Sequence, residues 1–250
     1  MRILLFDCES FPNEGWTWGT WDQKVIEVIK ARMICSIAWQ WYPNREKNVI
    51  ALPDFPGYDP KVRNNRALIS TFNRELQKAD IAVGHNIEDF DNPMVNTDIL
   101  KNDLKAPPPY RLIDTLKILR KKFRLNSNKL NDACQELKIG AKVKHPGFDL
   151  WKGCMTGDKK SWALMKKYNM ADVDPLLRGL YEKVRPWIPN HPNLSVDSSR
   201  PVCPSCGHPV LKAWSWVYTQ ARSYQRMFCL GCHSWCKKIP MKKGRFVYRP

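Results

Sequence analysis

The chain has 250 residues, 43% of them hydrophobic, and a formal net charge of +17. That length suits one large domain, or a medium domain with a small appendage, and supplies enough apolar residues for a sizeable core. No run approaches the ~18 apolar residues of a membrane span, and the four apolar residues before Asp7 are too few for a signal peptide. A cytoplasmic chain with no membrane partner is expected, its nine cysteines being metal ligands or buried thiols rather than disulfides. The charge is uneven. Residues 190–250 hold 10 Lys and Arg against one acid, Asp197, so about a quarter of the chain carries +9. A balance of this kind suits an anionic polymer, nucleic acid before membrane.

Residues 3–7 form a short apolar run, expected as a buried strand. Gly15 to Trp21 alternates aromatic and small residues, a period-2 strand pattern. Met33–Tyr42 and Asn48–Leu52 read as further strands, and the close spacing suggests an antiparallel meander. Leu68, Phe72 and Leu76 recur at helical spacing, which predicts a helix over 65–78. Ile81-Ala82-Val83 reads as a strand, and 92–102 as a helix. Helices are also expected over 112–123, over 128–137 with Ser127-Asn128 as capping residues, and over 159–184 with a kink at Pro175. Four prolines between 186 and 201 mark a linker. Strands followed by alternating helices and strands indicate a mixed α/β domain.

Four carboxylates and a tyrosine lie along this frame. Asp7 and Glu9 are two apart, so on a strand they share a face, and two carboxylates that close repel unless a cation joins them. Asp91 ends Gly84-His85-Asn86-Ile87-Glu88-Asp89-Phe90-Asp91. Tyr168 and Asp172 are i and i+4, one face of a helix, whereas Asp174 falls on another.

The order Asp7-Cys8-Glu9, Asn86-Ile87-x-x-Phe90-Asp91-x-Pro93 and Tyr168-Asn169-x-x-Asp172 resembles the DEDD superfamily of 3′–5′ exonucleases, also called DnaQ-like. It is most similar to the exonuclease domain of family B DNA polymerases and its free-standing relatives. Ile113-Asp114-Thr115, Ser127-Asn128-Lys129-Leu130 and Arg185-Pro186-Trp187 add to the likeness. One branch of the superfamily has His five positions before the last Asp. Lys167 stands there in this chain, so the likeness is to the tyrosine branch.

The resemblance covers residues 1–188 and implies an RNase H-like mixed sheet with flanking helices. It implies two catalytic ions, Mg²⁺ or Mn²⁺, with Asp7 bridging them, Glu9 and Asp172 completing the first site and Asp91 holding the second. Tyr168 would orient the attacking water. Asn86 and Phe90 become substrate-binding candidates, although Asn86 serves equally well as a cap for the following helix. The implied activity is phosphodiester hydrolysis at DNA 3′ ends. The same chemistry on RNA, structure-selective trimming, or a non-catalytic nucleic-acid adaptor are the alternatives. A small free-standing nuclease of this type would suit a bacteriophage, acting in the host cytoplasm, with replication or repair proteins as partners.

Cys203-Pro204-Ser205-Cys206 and Cys229-Leu230-Gly231-Cys232 are two Cys-x-x-Cys pairs with 22 residues between them, a little beyond the usual ~15–20. Four thiolates suit one tetrahedral Zn²⁺, and residues 203–250 resemble a zinc ribbon, separated from residues 1–188 by a linker at 189–202. Cys236 and His233 are left outside the ligand set. Trp214, Trp216, Tyr218, Arg222, Tyr224, Arg226 and Phe228 alternate with other residues as on two hairpin strands, and aromatics interleaved with Arg suit single-stranded nucleic acid. Arg222 and Arg226 are therefore substrate-binding candidates, and Lys237, Lys238, Lys242, Lys243 and Arg245 form a basic tail suited to phosphates.

Overall fold

The structure is a computed structural model describing residues 1–21, 23–188, 191–195, 200–240 and 246–249. Its contacts divide the chain into two units: residues 1–117 with 125–179, and residues 118–124 with 180–250. The basic run at Lys242, Lys243 and Arg245 lies outside the described residues.

The first unit is built on a five-stranded mixed sheet. Its strands are β1 (Ile3–Phe11), β4 (Met33–Tyr42), β5 (Lys47–Ala51), β6 (Ile81–Gly84) and β7 (Arg111–Asp114), in the order β5-β4-β1-β6-β7. β4 runs antiparallel to β1 and β5, while β1, β6 and β7 are parallel. β1 is longer than its apolar run suggests, because Asp7 and Glu9 continue the pairing opposite Ala38 and Ser36 before the register shifts at Ser10.

The expected meander needs correction. Gly15 to Trp21 does not enter the sheet. β2 (Glu14–Trp16) pairs with β3 (Glu27–Lys30) as a separate two-stranded hairpin, and Trp18 and Trp21 are exposed. Alternation of aromatic and small residues places a strand in a packed sheet only when one of its faces is buried, and here neither is.

The helices are α1 (Arg66–Leu76), α2 (Asp91–Lys101), α3 (Thr115–Lys122), α4 (Leu130–Glu136), α5 (Asp149–Met155), α6 (Lys159–Ala171) and α7 (Arg178–Val184). α1 buries Leu68, Ile69, Phe72 and Leu76 on one face, and Phe72 meets Phe6 of β1 with ring centroids 5.0 Å apart. Such a fully buried ring stabilises by about 1.5–3 kcal/mol. The stretch 112–123 is not all helix, because β7 occupies its start. The helical periodicity of 112, 116 and 119 carries across the junction and conceals it. α5 has no counterpart in the expected elements; at seven residues it is too short for a clear period.

α6 packs on β4, β5 and β1. It begins at Asp158, whose carboxylate accepts from Ser161 N at 2.7 Å, capping an otherwise unsatisfied amide. Its regular turns end at Asp172. Pro175 has no N–H to give, and it disfavours helical backbone in the residue before it. Asp174 is accordingly extended (φ −133°, ψ 109°) before the chain re-enters α7.

The second unit holds a four-stranded antiparallel sheet of β8 (Leu211–Tyr218), β9 (Ser223–Cys229), β10 (Trp235–Pro240) and β11 (Phe246–Arg249), in the order β11-β10-β9-β8. Met227, Cys236 and Tyr248 form its small apolar core. Within the expected linker, His191 Nε2 lies 2.7 Å from Tyr181 Oη, and Asn193 Nδ2 donates to Tyr248 O at 2.6 Å. Leu194 N donates to Pro204 O at 2.8 Å.

Candidate metal centres

β1, α2 and α6 carry the acids expected to meet. Asp7, Glu9 and Asp172 do so: one carboxylate oxygen from each lies within 4.8 Å of the others. Asp7 and Glu9 are half-buried on one face of β1, and Asp172 is buried at the end of α6. Asp91, the first residue of α2, is not in this cluster. Its Oδ1 accepts from Cys8 N at 3.0 Å and from Cys8 Sγ at 3.1 Å, which ties it to β1 between the two other acids. Asp174 is elsewhere, paired with Lys47 and Arg178 at 2.9 Å each.

The electrostatics are those of a site short of positive charge. Burial, then the charges of Asp91, Glu9 and Asp172, hold the Asp7 carboxyl well above the usual range. Burial and the Asp172 charge push Glu9 up to about 8, and burial pushes Asp91 up to about 6 against the hydrogen bonds from Cys8. Burial also raises Asp172, although Lys142 pulls it back. Asp172 Oδ1 is buried without a hydrogen-bond partner among the described residues. An unpaired buried carboxylate oxygen beside two repelling carboxylates fits a divalent cation with oxygen ligands.

Three side chains complete the centre, and sequence position alone assigns none of them a role. Lys142, in the loop between α4 and α5, donates to Tyr168 Oη at 2.9 Å and to Asp172 Oδ2 at 2.5 Å. It stands in a basic run, Lys142-Val143-Lys144-His145, that looks like any solvated loop. Asn169 is fully buried; its Nδ2 donates to Asp7 Oδ2 at 2.7 Å, and its Oδ1 accepts from Ser36 Oγ at 2.9 Å. His145 packs on the Tyr168 ring, 4.7 Å between centroids. Tyr168 is thereby largely enclosed, and burial followed by the Asp172 charge pushes its phenol up to about 12. It stays protonated through the neutral range, a hydrogen-bonding group rather than a base.

The two substrate-binding candidates of this unit lie on the segment between β6 and α2 that leads into Asp91. Asn86 has φ +70° and donates its N–H to Asp114 Oδ1 at 3.0 Å. Asn tolerates that left-handed backbone better than most residues. α2 is capped by Phe90 with no side-chain hydrogen bond, so the alternative of Asn86 as helix cap is excluded. Phe90 is partly exposed and lines a cleft with Asn13, Arg32, Pro93 and Lys101.

In the second unit Cys203, Cys206, Cys229 and Cys232 converge, with Cys203–Cys232 and Cys206–Cys229 sulfur separations of 3.7 and 3.6 Å. A tetrahedral ion ~2.3 Å from each sulfur sets them ~3.8 Å apart, so the four thiols fit Zn²⁺. Both Cys-x-x-Cys turns are built alike. Gly207 after the first has φ +73° and His233 after the second φ +58°. Amides of Gly231 and His208 point at Cys229 and Cys206 sulfurs, 3.3 and 3.4 Å away. His233 stacks on Phe228 and Cys236 packs in the apolar core, both outside the cluster. Arg222 lies in the β8–β9 turn and Arg226 on β9.

Comparison with known proteins agrees with this architecture. No curated protein matches the sequence. The structure is similar to the family B DNA polymerase of the hyperthermophilic archaeon Pyrobaculum calidifontis, with a TM-score of 0.57 and 17% identity over 74% of this chain. The chain spans 25% of that polymerase's length. The RNase H superfamily model matches residues 42–184, from the end of β4 to the end of α7 and so beyond Asp7 and Glu9. Nucleases of this kind use divalent metals and bind nucleic acid, in keeping with the three-carboxylate cluster. With more than half of its length matched, the chain belongs to the RNase H superfamily of nucleases.

Proposed function

We propose that the chain is a metal-dependent 3′–5′ exonuclease that hydrolyses phosphodiester bonds at DNA 3′ ends. The observation that carries this reading is the meeting of Asp7, Glu9 and Asp172 from β1 and α6, with Asp91 tied to the same strand. In this reading Asp7, Glu9 and Asp172 would hold one divalent ion, Mg²⁺ or Mn²⁺, and Asp91 with Asp7 would hold a second. Bound divalent ions would neutralise the scissile phosphate, activate water and stabilise the leaving oxygen. The protein's own groups set the geometry. Asn169, fixed by Ser36, keeps the Asp7 carboxylate turned into the centre. Tyr168 offers a phenol that orients the attacking water, and Lys142 holds that phenol in place while adding positive charge beside the phosphate. Asn86 and Phe90, beside Asp91, contact the terminal nucleotide.

The ribbon unit, with a structural Zn²⁺, supplies Arg222 and Arg226 to the nucleic acid. Asp7→Ala tests the site. The purified variant is expected to keep its fold and to lose degradation of 3′-ended DNA. A variant as fast as the parent would remove the assignment.

A further inference from the structure

The ribbon has two unlike faces, and the register shows which aromatics share one. β8 and β9 pair Ala213 with Met227, but Trp216 with Gln225, so one extra residue is inserted between them. That bulge turns Trp216 and Tyr218 onto the side of Gln225 and Ser223. A sequence alternation that put 214, 216 and 218 together is thus broken at the bulge, since opposed residues share a face. Trp214 stays on the other side, where it meets Trp235 of β10 edge-on at 5.6 Å. Trp235 pairs with Phe228, and Lys237 with Arg226.

This second face repeats one arrangement three times. Lys212 lies over Trp214 at 5.8 Å, Arg226 over Trp235 at 5.8 Å, and Lys237 over Tyr224 at 5.9 Å. Among the described residues no cation lies over Trp216 or Tyr218. Trp214 and Trp235 remain 62% and 45% exposed, too much for rings whose task is to fill a core. The core lies on the opposite side, at Met227, Cys236 and Tyr248. Residues 200–250 contain no Asp or Glu at all, so no carboxylate side chain of the ribbon offsets these cations.

We infer that the Trp214–Trp235–Tyr224 face is a stacking platform for unpaired bases of single-stranded nucleic acid, with Lys212, Arg226 and Lys237 on its phosphates. This deepens the nuclease reading and rests on it for the class of polymer. Exposed rings stack only on bases not already stacked in a duplex, and cations at this spacing follow the backbone. Trp216 and Tyr218 take no part.

The test uses the full-length, zinc-loaded chain carrying Asp7→Ala to prevent hydrolysis, with a fluorescent oligo-dT and a blunt duplex as probes. Trp214→Leu and Trp235→Leu, which keep apolar bulk, are each expected to weaken oligo-dT binding ~10-fold. Trp216→Leu should stay within about 2-fold, and duplex affinity should change little in all three. Lys212, Arg226 and Lys237 changed together to Ala should lower the salt slope by ~2. One zinc per chain in every variant shows that the ribbon is intact. Equal losses for Trp216→Leu and Trp235→Leu, or no loss in any Trp variant while the parent binds oligo-dT, overturn the platform and leave the nuclease reading standing. A parent that binds neither probe overturns both.

Discussion

The carboxylate cluster of the sheet unit and the cysteine cluster of the ribbon both gather acidic side chains around a small volume, but the folds around them differ. The sheet unit has a core of its own, with Phe6, Ile34, Ile37, Leu68 and Phe72 buried, and it holds Asp7, Glu9 and Asp172 together against their mutual repulsion. Among the described residues the ribbon's apolar cluster has three buried members, Met227, Cys236 and Tyr248. A domain of that size needs a staple. One fold has a core large enough to impose a charged site, and the small core of the other points to its cysteine site as the staple.

The largest expected effect is therefore on the ribbon. Changing Cys203 and Cys229 to Ser removes two of the four sulfurs, and ~10–16 kcal/mol of metal binding is at stake in such sites. Zinc content should fall from one to under half an atom per chain, and amide protection should vanish across β8–β10 while it persists in β1 and β4. Protection that survives in β8–β10 would show that the ribbon does not depend on zinc. In the sheet unit the corresponding loss is of chemistry rather than of fold. Lys142→Ala removes a donor shared by Tyr168 and Asp172. Activity should drop ~10²–10³-fold, the size seen when one positioned donor is lost, with an unchanged melting temperature. Loss of both together would make Lys142 a structural residue.

Acid repulsion in the sheet unit also has a sign that can be measured. Glu9 is raised from an ordinary 4.5 to about 8, so between those values the folded state holds a proton that the unfolded state releases. Its contribution to stability is full below about 4.5 and is lost as pH rises through about 8. Without added divalent ion, Glu9→Gln should melt like the parent near pH 5 and above it at pH 8.5. Added Mg²⁺ should raise the parent's melting temperature more at pH 8.5 than at pH 6, since protons and metal compete for the carboxylates. Equal shifts at both pH values would mean that the ion does not bind there. The smallest effect is expected for Asp174→Asn. Its pairs with Lys47 and Arg178 contribute about 0.2–1 kcal/mol, and activity should not change.

The same contrast governs what could be read from sequence. The convergence of Cys203, Cys206, Cys229 and Cys232 was legible because four cysteines in two short pairs encode their own geometry. The acids were legible only by order and context, since Asp7 and Asp172 are brought together by a parallel-antiparallel sheet and a helix laid across it. Lys142, Asn169 and Ser36 act through contacts 26 to 162 residues apart in sequence, and no local pattern marks such pairs. The hairpin at 14–30 misled because alternation predicts a strand without saying whether a sheet will accept it. On the ribbon, a single inserted residue between Ala213 and Trp216 reversed two aromatics that simple alternation had kept together.

Cleavage from the 3′ end by the Asp7, Glu9 and Asp172 centre is what the proposed function stands on. The direct measurement follows single-stranded DNA labelled at its 5′ end or at its 3′ end, with Mg²⁺ or Mn²⁺, and RNA of the same sequence alongside. A ladder shortening stepwise from the 5′-labelled strand and immediate release of a labelled mononucleotide from the 3′-labelled one are expected, both absent in Asp7→Ala. Mononucleotide released first from the 5′ label, internal cuts, or a ladder that persists in Asp7→Ala would contradict it.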